Sequence, residues 1–234
     1  MRQILFWISL IAGITSMPAS ANVDASDYHA FWLWSAVRPQ PVLAQADTLY
    51  ILQGQISSGR RESQFIPQGI PVPRLRHGRV WLTYRVETLN WPDAIYQQVI
   101  QQIHRWKRAG NAVVGIQIDF DARTLRLAEY TAFLQQLRQH LPSEYALSIT
   151  GLLDWSNHTS PEQVNQLRQV VDEVVIQTYQ GRHTIRNYTD YLPRLARLQI
   201  PFKIGLVQHG EWQAPDSLAK TRYFRGYVVF LLNQ

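Results

Sequence analysis

Strand-like and helix-like patterns alternate along the chain from residue 80 onwards. Residues 80–88 are predicted to form a strand, and the helix after them places apolar residues at helical spacing, namely Ile95, Val99, Ile103 and Trp106. Gly110 ends that helix. The next strand, 112–119, is apolar except for Gln117 and for its last residue, Asp119. Such alternation predicts parallel strands covered by helices.

Eight strands are predicted in all, and helices separate most of those in the second half. The strands are residues 28–36, 48–56, 80–88, 112–119, 145–153, 173–179, 202–208 and 225–232. The helices are residues 92–110, 124–140, 161–171 and 183–198, with a short helical turn within 215–223. Segment 57–78 is rich in proline and arginine and irregular, and a loop of that length is either functional or poorly ordered.

Eight parallel strands with roughly one helix each indicate an α/β fold. We predict a compact (β/α)8 TIM-type barrel with reduced early helices and no helix after the last strand. An open doubly wound sheet is the alternative. No Gly-rich dinucleotide turn follows the first strand, which weakens that alternative.

Residues 1–21 have the features of a signal peptide. Arg2 supplies a positive start, residues 4–14 are apolar, and Ala19-Ser20-Ala21 offers a cleavage site. The apolar run is shorter than the roughly 20 residues that span a bilayer. We therefore expect cleavage rather than retention as an anchor, no stable membrane insertion afterwards, and a periplasmic or secreted protein. Residues 22–234 would form a single barrel domain.

The composition permits a large core and excludes thiol chemistry. Of 234 residues, 46% are hydrophobic and 17% are charged, which argues against disorder. The chain contains no cysteine, so disulfides are excluded. Its formal net charge is +6, and the arginines are scattered rather than grouped in one run. We expect a basic surface rather than a dedicated site for polyanions, and no nucleic-acid partner.

Polar side chains gather at the carboxyl ends of seven predicted strands, where barrels carry their sites. Several of these residues are spaced by two, so both members can face the barrel mouth. They are carboxylates, amides and aromatics, which are typical of a binding site rather than of a strand end that is merely exposed to solvent. The candidates for substrate binding are Trp34, Gln53, Arg85, Glu87, Gln117, Asp154, Trp155, Gln177, Gln208, His209 and Trp212.

Asp119, Asp121 and Tyr179 are the candidates for catalysis. The sequence has no Gly-rich phosphate loop with a lysine, no Gly-x-Ser-x-Gly nucleophile, and no His-x-His or His-Glu-x-x-His spacing, so we expect neither a cofactor nor a metal. Carboxylates can act as acid and base on a glycosidic bond, and aromatic faces pack on sugar rings. The partner expected from these residue types is a polysaccharide or glycan.

Residues 114–121, Val-Gly-Ile-Gln-Ile-Asp-Phe-Asp, resemble the fourth-strand motif Asp-Gly-x-Asp-x-Asp-x-Glu of chitinase-type glycoside hydrolases of family eighteen. Asp119 matches the motif, Asp121 stands at the catalytic glutamic acid, and Gln117 replaces an aspartate. Residues 177–180, Gln-Thr-Tyr-Gln, resemble that family's Met-x-Tyr-Asp, whose tyrosine helps hold an N-acetyl group. The usual third-strand Ser-x-Gly-Gly is missing. The resemblance implies a general acid at Asp121 and positioning roles for Asp119 and Tyr179.

The chain after the signal also resembles a family of exported bacterial proteins known only as a domain of unknown function. Phe-Trp-Leu-Trp, Gln-Ile-Asp-Phe-Asp, Gln-Thr-Tyr-Gln-Gly and Gly-Leu-Val-Gln-His-Gly carry this likeness, which implies no activity.

Three functions follow from these patterns. We favour an exported glycoside hydrolase-like enzyme. A non-catalytic glycan-binding barrel is the alternative, because an aspartate for the glutamic acid and a glutamine for the aspartate are what loss of catalysis would leave. A third possibility makes Asp119, Asp121 and His209 metal ligands of a hydrolase or deacetylase.

Overall fold

Eight parallel strands close into a barrel in the computed structural model, which describes residues 21–34, 37–75, 78–120, 127–153, 161–195 and 197–233. The barrel strands are β1 (Ala30–Leu33), β2 (Thr48–Ser58), β3 (Arg79–Val86), β4 (Ala112–Asp119), β5 (Ala146–Leu152), β6 (Glu173–Gln177), β7 (Phe202–Val207) and β8 (Phe224–Phe230). Each strand pairs with the next, and β1 pairs with both β2 and β8, which closes the ring. The predicted TIM-type barrel is confirmed, and the open doubly wound sheet is excluded.

Helices cover the barrel mainly after β3 and β4. They are α1 (Asp93–Arg108), α2 (Leu127–His140), α3 (Pro161–Gln166), α4 (Leu192–Leu195) and α5 (Asp216–Ala219). The apolar residues predicted for the first of them, from Ile95 to Trp106, are buried against the strands. Between β1 and β2 the described residues hold only the 3-10 helix Pro41–Gln45, so the early helices are reduced as predicted. Within the described residues, no helix is both long and apolar enough to cross a membrane.

Segment 57–78 begins as a β-hairpin, which corrects the expectation of an irregular loop. β2 continues to Ser58, and the strand Ser63–Pro67 returns antiparallel to it. Phe65 anchors this hairpin, because its ring lies 6.0 Å from that of Tyr84 on the outside of the barrel. A Cβ on Gly54 would approach the Phe65 ring to 2.6 Å, so the absence of a side chain there lets the two strands pack.

The helix predicted at 183–198 is wrong. The segment instead forms the short strand His183–Thr184, a 3-10 turn at Tyr188–Asp190, and the single-turn α4. Pro193 accounts for the difference, because a proline within a helix removes a backbone hydrogen bond and is tolerated only in the first turn. The helix therefore starts at Leu192, immediately before the proline.

Aromatic rings and one amide fill the barrel interior. Trp32, Tyr50 and Trp81 form the interior apolar cluster together with two valines, and the last two rings stack with their planes 1° apart. Gly205 completes the packing: a Cβ there would lie 2.6 Å from the Trp32 ring.

Gln117 lies among these rings, fully buried below the mouth. Its Oε1 accepts hydrogen bonds from Trp32 Nε1 at 2.6 Å and from Thr83 at 3.3 Å. Its Nε2 donates to Ser148 Oγ at 3.1 Å. This residue was a candidate for substrate binding. In the structure its amide instead satisfies the polar groups of the barrel core.

The hydrogen bonds continue to the end of the barrel where the strands begin. Ser148 Oγ donates to Glu173 Oε1 at 3.1 Å, and Tyr50 donates to the same oxygen at 2.7 Å. Lys203 Nζ lies 3.3 Å from Glu173 Oε2. The two charges are largely buried, so each depends on the other for its stability. The sequence alone predicts no polar cluster at this end of the barrel.

The buried hydroxyl of Tyr84 provides a test of the outer core. It has no hydrogen-bond partner among the described residues, and burial raises the pKa of Tyr84 far above its usual 10.0. A raised native pKa contributes stability that is complete below the unfolded pKa of about 10 and is lost as the pH rises above it. Tyr84→Phe should therefore leave stability at pH 7 within about 1 kcal/mol of wild type and lose less stability above pH 10.

Urea unfolding at pH 7 and at several values above pH 10 measures both effects. Burial also raises the pKa of Tyr28, to about 12. The variant should therefore still lose part of its stability at alkaline pH. Tyr223→Phe is the control, since its ring is partly exposed. Equal alkaline slopes for wild type and Tyr84→Phe would contradict the assignment.

Candidate functional site

Asp119 lies at the carboxyl end of β4, at the mouth of the barrel. Its side chain lies two positions beyond Gln117 and therefore on the inner side of the strand. Thr150 of β5 donates a hydrogen bond to Asp119 Oδ1 at 2.9 Å. The carboxylate is half-buried, so it is both oriented by its neighbour and open to the mouth.

Tyr179 faces the same space from the residues just after β6. Burial raises the pKa of Tyr179 well above its usual value, the negative charge of Asp119 raises it further, and a hydrogen bond with Gln177 opposes the shift. The residue as a whole is partly exposed, although its hydroxyl is buried. The hydroxyl is protonated at neutral pH and can act as a hydrogen-bond donor. The structure thus brings three candidates together: Asp119, Gln177 and Tyr179.

An aromatic wall lies beside this group. The ring centroids of Tyr179 and Phe230 are 5.5 Å apart, and those of Phe230 and Trp34 are 5.6 Å apart. Below them, the Trp32 ring lies 6.4 Å from Tyr179. Trp34 is partly exposed and stands at the edge of this wall, where a flat ligand can contact it.

A row of polar side chains forms the opposite rim. Arg85 is exposed and pairs in register with Asp119 on one side and with Gln55 on the other. Gln55 donates to Glu87 Oε1 at 2.7 Å and accepts from Gln68 at 2.8 Å. The candidates Arg85 and Glu87 therefore belong to the mouth, and Gln55 links them to the hairpin.

Gln53 does not join the mouth, because a β-bulge interrupts β2. The register shifts between Leu52 and Gly54, and Gln53 is the additional residue. Its Oε1 accepts a hydrogen bond from Trp106 Nε1 of α1 at 2.7 Å. The expected spacing of two places Gln53 and Gln55 on one side, and the bulge separates them.

The candidates after β7 also form contacts within the protein. Gln208 exchanges hydrogen bonds with the Gln40 amide and accepts one from Leu232 N at 2.9 Å. His209 is exposed, with a left-handed backbone (φ 64°), and its N–H donates to Val23 O. Trp212 is 7% exposed and stacks on Tyr188 with centroids 5.0 Å apart, so it is a core residue rather than an open face for a ligand.

Asp121, Asp154 and Trp155 lie outside the described residues. The general acid that the family resemblance implies is therefore a prediction from sequence. No group of three or more His, Asp or Glu side chains within the described ranges is arranged to hold a metal ion. Asp121, one of the three predicted metal ligands, lies outside those ranges.

Three residues of the mouth, Gln55, Thr150 and Phe230, are not among the candidates predicted for binding or catalysis. Gln55 and Thr150 are two of the polar strand-end residues on which that prediction rests, and Phe230 is missed altogether. Phe230 follows Val228 by two on β8, and strand alternation would have placed it on the inner side.

Several solved structures have a fold similar to that of this chain. The chain is similar to the spore cortex-lytic enzyme SleL of Bacillus cereus, with 15% identity, a TM-score of 0.50, and coverage of 81% of this chain and 51% of SleL. It is similar to the chitinase domain of the spore coat protein CotE of Clostridium difficile, with 14% identity, a TM-score of 0.51, and coverage of 86% and 68%. The aligned region thus spans about half the length of SleL.

A third similar structure is the xylanase and alpha-amylase inhibitor protein XAIP-II of Scadoxus multiflorus, with 11% identity, a TM-score of 0.53, and coverage of 86% of this chain and 91% of that one. Identities this low establish a shared barrel fold and nothing about activity. No curated protein sequence matches the chain. The chain belongs to the family described as "Domain of unknown function (DUF3142)", whose model matches residues 80–210.

Because of the bulge, Gln53 is buried against α1 and Gln55 lies on the rim, so their substitution should affect stability differently. Gln53→Leu should lower the free energy of unfolding by about 1–3 kcal/mol, because the buried Trp106 Nε1 loses its acceptor. Gln55→Leu, the matched control on the open rim, should change it by no more than about 0.5 kcal/mol. Urea denaturation measures both. A larger cost for Gln55→Leu than for Gln53→Leu would contradict the placement.

Proposed function

We propose that the protein is an exported glycoside hydrolase-like protein that acts on a polysaccharide or glycan at the carboxyl end of its barrel. The observation that carries the proposal is the meeting of Asp119, Gln177 and Tyr179 beside an aromatic wall. Carboxylates, hydrogen-bond donors and flat rings in one open mouth suit a sugar chain. The structural likeness to a cortex-lytic enzyme and a chitinase domain supports the same choice.

The main side chains of the mouth have separate roles in this proposal. Tyr179, being protonated, donates a hydrogen bond to a substrate oxygen. Asp119, held by Thr150, orients the substrate and stabilises positive charge that develops as the glycosidic bond breaks. Asp121 is the proposed general acid, which gives its proton to the leaving oxygen. Trp34 offers a face to a sugar ring, and Arg85 and Glu87 hydrogen-bond sugar hydroxyls at the rim.

A non-catalytic glycan-binding barrel is the second candidate, and one observation favours it. Gln117 stands where the resemblance expects an aspartate, and its amide is fully committed to the core. It cannot take up or release a proton, so any acid chemistry depends on Asp119 and Asp121 alone. The similarity to a xylanase and alpha-amylase inhibitor protein also supports a barrel that binds without cleaving.

Incubation of the exported protein with a panel of bacterial and host polysaccharides tests the proposal. Released ends, detected as reducing sugars and by mass spectrometry, report cleavage. Asp121→Asn should lower the cleavage rate by roughly 10²–10⁴, the usual contribution of a general acid. Tyr179→Phe should lower it by roughly 3- to 10-fold, through loss of one hydrogen bond. Asp27→Asn, an exposed carboxylate outside the mouth, is the control.

The panel also separates the alternatives. Cleavage that continues unchanged in Asp121→Asn would remove the acid role. Binding without cleavage by wild type would favour the glycan-binding barrel. Activity or affinity that disappears on chelation would favour the metal-dependent hydrolase or deacetylase.

A further inference from the structure

Five exposed basic side chains gather at the end of the barrel where the strands begin. Three of them, Arg105, Lys107 and Arg108, lie in the last turns of α1. The other two, Arg74 and Arg79, precede and open β3. We call these five residues the basic face. The arginines are scattered in sequence, and the fold brings these two segments together.

Asn111 fixes the two segments against each other. Its Oδ1 accepts from Leu75 N at 2.9 Å, and its Nδ2 donates to Pro73 O at 2.8 Å. Arg74 lies between those two residues in the chain. A Cβ on Gly110, just after α1, would lie 3.6 Å from Arg74 Nε, so this guanidinium stands beside the end of the helix.

Within the described ranges, no salt bridge neutralises a member of the basic face. Lys203 and Arg138, which also lie at this end, are paired with Glu173 and Asp172. Among the described residues, none of the five members of the basic face forms an ion pair, although Asp47 and Glu144 are at the same end. The negative end of a helix dipole attracts cations and accounts for the three residues of α1. It does not account for Arg74 and Arg79, which belong to another segment.

The basic face and the barrel mouth are at opposite ends of the strands. Arg79 opens β3 and Arg85 lies at its mouth end, roughly 20 Å away at about 3.3 Å per residue. The basic face is therefore a surface separate from the mouth.

We propose that the basic face binds the anionic phospholipid headgroups of a membrane surface, so that the barrel mouth points away from the bilayer. Exposed arginine and lysine side chains are attracted by the negative surface potential of such a membrane. Single-stranded nucleic acid is disfavoured, because its binding relies on exposed aromatic rings that stack on bases. Ile66, on the distant hairpin, is the one large hydrophobic side chain exposed among the described residues.

Sedimentation with lipid vesicles tests this proposal. The exported protein should bind vesicles that contain phosphatidylglycerol, bind pure phosphatidylcholine vesicles weakly, and dissociate as salt is raised. The triple variant Arg74→Gln/Arg105→Gln/Arg108→Gln should bind roughly a hundredfold more weakly, at about fivefold per basic residue. The control triple variant Arg38→Gln/Arg60→Gln/Arg61→Gln changes the net charge equally at the mouth end and should bind like wild type.

Three outcomes would overturn the proposal. The first is absence of binding to phosphatidylglycerol vesicles by wild type. The second is an equal loss in the two triple variants, which would show that net charge alone is responsible. The third is tight binding of a DNA oligonucleotide, lost in the first triple variant, without binding to vesicles, which would assign the basic face to nucleic acid. All of these results are independent of whether the mouth binds a glycan.

Discussion

The amide of Gln117 is the polar group around which the barrel interior is built. A buried indole N–H and a buried hydroxyl both need an acceptor, and its Oε1 serves both. Its Nε2 supplies the donor that links the network to Ser148, and through Ser148 to Glu173. A carboxylate at this position would provide acceptors without the donor and would add a charge to a closed core. The large rings of the interior can pack together because this amide provides hydrogen-bond partners for the polar atoms buried between them.

That constraint also limits the chemistry available at the mouth. One layer above Gln117, Asp119 is oriented by Thr150 and lies close enough to Tyr179 to raise its pKa. The core amide cannot exchange a proton with Asp119, so the mouth must perform any acid–base step with its own carboxylates. In the proposed function, whether a bound sugar is cleaved depends on Asp121.

The sequence was sufficient for the barrel and for much of the mouth, because both follow from simple periodicities. β4 has the predicted bounds, and Asp119, Arg85, Glu87, Gln177 and Tyr179 lie where strand alternation puts them. Prediction from the sequence failed where a local irregularity interrupts the regular spacing of side chains. The bulge at Gln53 reverses one side chain, Pro193 breaks a helix that its apolar spacing predicts, and Trp212 is covered by Tyr188, which is distant in sequence. Contacts of that last kind depend on tertiary packing and leave no mark in a local pattern.

The two ends of the barrel have different tasks in this account. The proposed function uses the carboxylate, the protonated tyrosine and the aromatic rings of the mouth to bind a sugar chain. At the opposite end, the members of the basic face form no ion pair with a described residue, and they are proposed to bind anionic lipid. Crystallography of the protein with a bound oligosaccharide from the panel tests the central claim most directly. The account predicts a sugar in contact with Tyr179 and Asp119, with one ring against Trp34. A sugar bound outside the mouth, with those side chains free of it, would contradict the account.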